Sequence, residues 1–271
     1  MYLGIDIGGT KTIVASLDGS GVIQERHRFP TPKNYSDFLD TLSKFVDKLT
    51  TKQFKAAGVA VPTRIDRAHG VATSGGRLLW RDVPIQHDIQ QIVHCPVVIE
   101  NDANLAGLSE AMLLKEYEKV LYVTISTGIG TGFIVNQKID PSMADSEGGG
   151  MLLEHGGKLQ PWEDFASGQA IVRRFGKRAS EITDKDTWQI IAHDIALGFI
   201  DLIALMQPDI IVLGGGVSAH YAKFKDFLQQ YLTEYENPLV TIPPIKEAAR
   251  PGLAVVYGCY DLAKSVYGKT A

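Results

Sequence analysis

Two aspartates stand where apolar strands run out into glycine or polar turns. Asp6 lies in Leu3-Gly4-Ile5-Asp6-Ile7-Gly8-Gly9-Thr10-Lys11-Thr12-Ile13-Val14, and Asp102 follows Val97-Val98-Ile99-Glu100-Asn101. A carboxylate beside bare backbone can hold a hydrated magnesium ion, because magnesium keeps most of its waters and takes few protein oxygens. Asp6 has that setting. Thr10 and Lys11, just beyond it, would face a transferred phosphoryl group, with Lys11 neutralising charge; a solvated lysine is the other reading of Lys11. Asp102 opens an alanine-rich helix, which fixes its backbone. There it can take the proton of an alcohol as general base, typically worth about 10²–10⁴-fold. Equally, it can cap the helix, worth about 1 kcal/mol. Sequence alone leaves both open.

A second hairpin repeats the design of the first: Tyr122-Val123-Thr124-Ile125-Ser126-Thr127-Gly128-Ile129-Gly130-Thr131-Gly132-Phe133-Ile134-Val135. Each reads strand, tight polar turn, strand. Glycines such as Gly8, Gly9 and Gly128 let the backbone approach a ligand, while hydroxyls and amides donate to phosphate oxygens. Thr124, Ser126, Thr127 and Gly128 would cradle the remaining phosphates. Gly214-Gly215-Gly216 ends an apolar strand at a helix start, where bare backbone can lie against an adenosine; alone it would be only a turn. Two such hairpins half a chain apart point to a phosphate group clamped between duplicated halves, as in a phosphotransferase using ATP and Mg2+. A Walker loop is excluded, since no G-x-x-x-x-G-K-[ST] occurs. Gly128-x-Gly130-x-Gly132 has the wrong spacing for a dinucleotide fingerprint and returns into a strand rather than a helix.

The elements that must carry these residues follow from periodicity. Strands are expected near 2–8, 12–18 and 22–29, then an amphipathic helix over 34–50 with Phe38, Leu42, Phe45 and Leu49 at helical spacing. A strand at 56–61 ends at Pro62, and the polar stretch 63–81 reads as a loop or short hairpin lining a site. Helix 84–93 leads to strand 96–100 and then to a helix capped by Asn101 or Asp102. The second half repeats this order: strands at 119–126 and 131–136, a polar glycine-rich segment 145–160, helices near 167–180 and 187–206, strand 209–213, and helices 219–233 and 252–267. Strand-strand-strand-helix-strand-helix given twice is the order of a duplicated ribonuclease H-like unit. The expected class is therefore α/β with the actin-like ATPase fold: two duplicated α/β domains with a cleft between them where substrate and nucleotide would meet. The expected division is a smaller N-terminal domain, 1–105, completed by helix 252–267, and a larger C-terminal domain, 106–251.

With 271 residues, the chain is long enough for two such cores. Its net charge of −4 argues against a nucleic-acid or anionic-membrane partner. No apolar run is expected to span a membrane. Asp6 comes too early for a signal peptide, so a cytoplasmic chain is expected. Cys95 and Cys259 are isolated in apolar surroundings and read as buried small hydrophobes.

Asp6-Ile7-Gly8-Gly9-Thr10-Lys11, Gly58-Val59-Ala60-Val61-Pro62, Glu100-Asn101-Asp102-Ala103-Asn104, Ser126-Thr127-Gly128-Ile129-Gly130-Thr131-Gly132 and Val212-Leu213-Gly214-Gly215-Gly216-Val217-Ser218 occur in that order. Over essentially its whole length the chain resembles the ROK family of sugar kinases and repressors, especially the bacterial glucokinases. The resemblance implies a two-domain hexokinase-like fold closing on a hexose and ATP–magnesium, and a homodimer. Asp102 would match the family's catalytic base on the sugar 6-hydroxyl, and Asn101 a sugar contact. Two family glutamates that hold the sugar fall among Glu147, Glu154 and Glu163; Glu147 fits the first role and Glu163 the second. Gly76, in Ser74-Gly75-Gly76-Arg77, belongs to the loop expected to line the sugar pocket.

Family members commonly carry a Gly-His pair, followed by a cysteine-rich segment that binds structural zinc, and that histidine also touches the sugar. This chain has Gly149-Gly150, and no cysteine between Cys95 and Cys259, so no zinc site is expected. His155 reads as a polar loop residue. Glu154-His155-Gly156-Gly157-Lys158 is similar to the zinc-free polyphosphate glucokinases of the family, which raises polyphosphate as a second donor. Family repressors have an added N-terminal helix-turn-helix, whereas here the phosphate loop begins within the first ten residues. The remaining alternatives are a sugar- or nucleotide-binding protein that has lost catalysis and a kinase for another hexose or an N-acetylhexosamine.

Overall fold

A computed structural model describes residues 1–73 and 78–268, and they form two compact units. The first holds Met1–Met112 and the segment from Leu253; the second holds Leu113–Gly252. The chain therefore leaves its first unit after Met112 and returns to it at its end.

Unit 1 is a five-stranded sheet. Strands β1 (Tyr2–Ile7), β2 (Lys11–Leu17), β3 (Ile23–Pro30) and β4 (Ala57–Val61) form it with β7 (Val97–Asn101), in the order β3-β2-β1-β4-β7. The short pair β5 (Ile65–Asp66) and β6 (Val71–Ala72) makes a separate hairpin. β1 and β4 are apolar along nearly their whole length because the sheet is covered on both faces. On one face lie α1 (Tyr35–Val46) and α2 (Ile85–Val93), which bury Phe38, Leu42, Ile85 and Ile89. On the other lies the C-terminal helix Ala254–Tyr267, packed on β1, β4 and α3 (Asp102–Ala111). A methyl group at Gly58 would collide with the Cys259 carbonyl, and one at Gly258 with that of Leu105. Backbone meets backbone there, and only glycine leaves the room.

Unit 2 repeats the plan. Its sheet is built from β8 (Lys119–Ile125), β9 (Ile129–Val135), β10 (Lys138–Ile139), β13 (Ile210–Gly214) and β14 (Ile245–Glu247), in the order β10-β9-β8-β13-β14. In both sheets the first strand sits centrally, an antiparallel hairpin extends on one side, and two parallel strands extend on the other. A second hairpin, β11 (Leu152–His155) with β12 (Lys158–Pro161), precedes α4 (Glu163–Ala166) and α5 (Gly168–Phe175). The long helix α6 (Lys185–Met206) buries Trp188, Ile191, Ile195 and Phe199 in the core, followed later by α7 (Gly215–Ser218) and α8 (Tyr221–Thr233).

Several elements differ from their sequence reading. Helix 34–50 stops at Val46, and Leu49 reaches the core from a following turn. Segment 145–160 contains the β11–β12 hairpin rather than only a polar loop. Helix 167–180 ends at Gly176, whose left-handed φ of 68° closes α5. Helix α6 is long and apolar enough to cross a membrane by length and composition, so the expectation that no run reaches that span needs correcting. Its apolar residues instead fill the core of unit 2.

Candidate active site

In unit 1 the parallel strands β1, β4 and β7 end on the same edge, where ligands meet open α/β sheets. Asp6 pairs with Ala60, and Ala60 with Glu100, so these three stand at one level of the sheet. Asp102 follows just beyond, as the first residue of α3. Asp6 is half-buried, and its carboxyl is pushed up to about 7. Burial is the largest cause and the charge of Asp102 the second, while Lys11 pulls the other way. Two carboxylates thus crowd one edge.

The helix cap belongs to Asn101, whose Oδ1 accepts from the backbone of Ala103 at 2.8 Å and of Asn104 at 3.4 Å. Asp102 therefore does not hold the N-cap position, although its Oδ1 accepts from Ala103 N at 2.9 Å. The β1–β2 turn, Gly8 to Thr10, is closed by Gly8 N donating to Lys11 O at 2.9 Å. It is braced from outside by Thr31, which sequence reasoning passed over. Thr31 donates its hydroxyl to Gly8 O at 2.7 Å and its amide to Thr10 O at 3.1 Å. Thr10 and Lys11 are exposed. Both cysteines are buried, and burial pushes the Cys95 thiol up to about 11, consistent with inert packing residues. Gly76 lies outside the described residues.

In unit 2 the corresponding turn is Ser126–Gly128, with β9 beginning already at Ile129 rather than at 131. Ser126 N donates to Gly128 O at 2.9 Å, and Gly168 N to Ser126 O at 2.6 Å. Thr127 is left exposed at the tip. The glycine triplet divides by cause. A side chain at Gly214 would collide with the Tyr122 hydroxyl, and Gly215 has a left-handed φ of 89°, so packing and backbone demand both. At Gly216 a side chain would meet nothing within 4 Å, and the residue is exposed. The fold itself does not require its glycine.

The glutamates separate as well. Glu163 opens α4, half-buried, and its Oε2 accepts from Ile129 N at 3.2 Å, so it is tied to the polar hairpin. Glu147 is exposed, next to Gly148 and Gly149, which lie against β9. Glu154 is exposed on the β11–β12 hairpin and accepts from Gly157 N at 2.7 Å. Gly149 and Gly150 differ in the same way as the triplet. A methyl at Gly149 would strike the Ile129 carbonyl, whereas one at Gly150 meets nothing within 4 Å.

His155 is not the loop residue expected. It ends β11, stacks on Phe165 with ring centroids 4.2 Å apart, and places Nε2 3.0 Å from Oδ1 of buried Asp194. Arg174 Nη1 donates to Asp194 Oδ2 at 2.5 Å and to Phe165 O at 2.6 Å. The Trp162 indole donates to Asp194 O at 3.0 Å. The segment bearing Glu163 is thereby fastened to α6 on both sides.

Comparison with known proteins bears on the family and the fold. The profile of the ROK family matches residues 2–265. A putative fructokinase of Bacillus subtilis (strain 168) is 29% identical over 255 residues, covering 88% of this chain and 84% of that protein. A glucokinase of Streptomyces coelicolor is 26% identical, covering 80% and 82%. The crystal structure of a ROK family glucokinase from Streptomyces griseus, in complex with glucose and AMPPNP, superposes with a TM-score of 0.82. Its identity is 24%, with 97% of this chain and 99% of that one covered, which establishes the actin-like ATPase fold.

Proposed function

The chain belongs to the ROK family, and on that premise we propose that it is a sugar kinase moving the γ-phosphoryl group of ATP to a hexose hydroxyl, the 6-hydroxyl of glucose first among them. The observation that carries the reading is the pair Asp6 and Asp102 at one sheet edge beside the Gly8–Thr10 turn, close enough for Asp102 to raise the Asp6 carboxyl. Two crowded carboxylates are costly unless a cation or a proton-bearing substrate uses them.

Asp102 acts as the base: it accepts the proton of the sugar hydroxyl as the phosphoryl group arrives. The transition state is loose and asks little of that base, so positioning and charge neutralisation supply most of the rate. Bound with ATP, magnesium neutralises phosphate charge, and Asp6 would hold its water shell. A half-buried carboxyl pushed up to about 7 has much to gain from a nearby cation. Lys11 and the backbone of Gly8, Gly9 and Thr10 meet the transferred group. In unit 2, Thr127 and Gly128 meet the other phosphates, and Gly216 gives an adenosine bare backbone beside Gly214 and Gly215. Asn101, Glu147 and Glu163 orient the sugar. The active species is a homodimer, which light scattering at micromolar concentration tests.

The test is coupled phosphorylation of glucose, mannose, fructose and N-acetylglucosamine by the purified chain, with magnesium, without added zinc, and with ATP or polyphosphate as donor. ATP-dependent turnover led by glucose is the expected result. A folded chain that binds ATP but phosphorylates none of these sugars would overturn the reading.

A further inference from the structure

Glu100 is a buried carboxylate of unit 1, tied to its surroundings by both of its oxygens. It is buried at the end of β7, directly before Asn101 and Asp102. Its Oε1 accepts from Arg67 Nη2 at 2.6 Å, from the backbone of Asn101 at 2.7 Å and from Asn104 Nδ2 at 3.0 Å. Its Oε2 accepts from Arg67 Nε at 2.8 Å. The guanidinium thus meets the carboxylate two-pronged, which fixes the plane of the carboxylate as well as its position. Arg67 sits in the turn between β5 and β6, held by Asp66 Oδ1, which accepts from Ala68 N at 3.1 Å and His69 N at 3.2 Å.

We propose that Arg67 is a positioning residue for Asp102, acting through Glu100; the proposal rests on the reading of Asp102 as the base. Glu100 grips the turn on both sides of Asp102, by the Asn101 amide before it and the Asn104 side chain after it. The Asn101 cap then fixes the first turn of α3. Arg67 locks the carboxylate that does the gripping. Without the guanidinium, a buried carboxylate must take up a proton or turn toward water. In either case the Asn101 peptide loses its set orientation, and the side chain it aims goes with it. A misplacement of about 1 Å at a reacting group can cost about 10²-fold. Lysine cannot replace the grip, because it offers a point charge and no fork.

The test is a kinetic cycle of wild type, Arg67→Met, Asp102→Asn and the double variant, with circular dichroism and melting temperature recorded for each. Arg67→Met should lower kcat about 10–100-fold and leave KM for magnesium–ATP within about twofold. In the Asp102→Asn background the same change should move the residual rate by less than about twofold, because the group it aims is gone. A loss of the same factor in both backgrounds would overturn the proposal, since Arg67 would then act without Asp102. Wild-type turnover in Arg67→Met beside an impaired Asp102→Asn would overturn it alone. Wild-type turnover in Asp102→Asn would overturn the base assignment and remove what Arg67 is said to aim. Should Arg67→Met fail to fold, Arg67→Lys retains the charge and should still lose about 3–10-fold in kcat; full activity in that variant would refute the need for the fork.

Discussion

Replacing Asp6 by asparagine should stabilise the resting protein at neutral pH while removing its activity. The fold raises the Asp6 carboxyl from 3.8 to about 7 and therefore favours its protonated form. For a group raised in this sense, the stabilising contribution is complete below the unfolded value and is lost as pH climbs through the folded one. Each pH unit in that window costs about 1.4 kcal/mol. Between pH 5 and pH 7 wild type should thus lose about 2–3 kcal/mol through Asp6, with little further change up to pH 8. Asp6→Asn keeps the shape and cannot ionise, so it escapes this loss. All other titrating groups are shared, and subtracting one stability curve from the other isolates Asp6 together with its coupling to Asp102. The assay is urea unfolding followed by circular dichroism at pH 5, 6, 7 and 8 in magnesium-free buffer, with the slope of each transition checked for constancy. The advantage of Asp6→Asn should grow by about 2–3 kcal/mol across the range. A difference that stays flat within about 0.5 kcal/mol would refute the claim that Asp6 is crowded by burial and by Asp102.

Asp102→Asn should fold, bind sugar nearly as well as wild type and lose about 10²–10⁴-fold in kcat; it should also lower the pH at which the Asp6 loss ends, and so shrink that loss, read in the same urea series. Gly149→Ala should destabilise by about 1–3 kcal/mol, because the new methyl strikes the Ile129 carbonyl. Gly150→Ala, with open space around it, should be neutral or gain up to about 1 kcal/mol. Asp194→Ala should cost about 2–4 kcal/mol in urea unfolding, somewhat below a fully buried pair because Arg174 and His155 keep partial exposure.

The parts of this molecule that a reader of the sequence can see are those whose cause is local. β1, β4 and β13 are short apolar runs ended by glycine or proline, and the Asn101 cap is a polar residue ahead of a helical run. The β11–β12 hairpin hides because its residues are at least partly exposed throughout, so no apolar alternation marks it. His155 and Arg67 hide for another reason. Each takes its meaning from a carboxylate far along the chain, Asp194 at a separation of 39 residues and Glu100 at 33. Nothing in the spacing around either residue announces such a partner. Conversely, the apolar length of α6 is a product of core packing, and composition alone cannot tell a core helix from a membrane-spanning one.

The return of the chain to unit 1 through glycine-level contacts has a consequence for how the protein is made. Residues 113–252 hold every strand of the second sheet, so that unit can close while the nascent chain is still growing. The unit carrying Asp6 and Asp102 cannot. Its C-terminal helix leaves the ribosome about 140 residues after α3, a delay of roughly ten to thirty seconds at ordinary rates of synthesis. Through that interval the face of β1 and β4 that Val256 and Cys259 will cover lies open. Vectorial synthesis therefore finishes the first-made half last, and the sheet edge carrying Asp6 and Asp102 is completed only when the helix Ala254–Tyr267 docks.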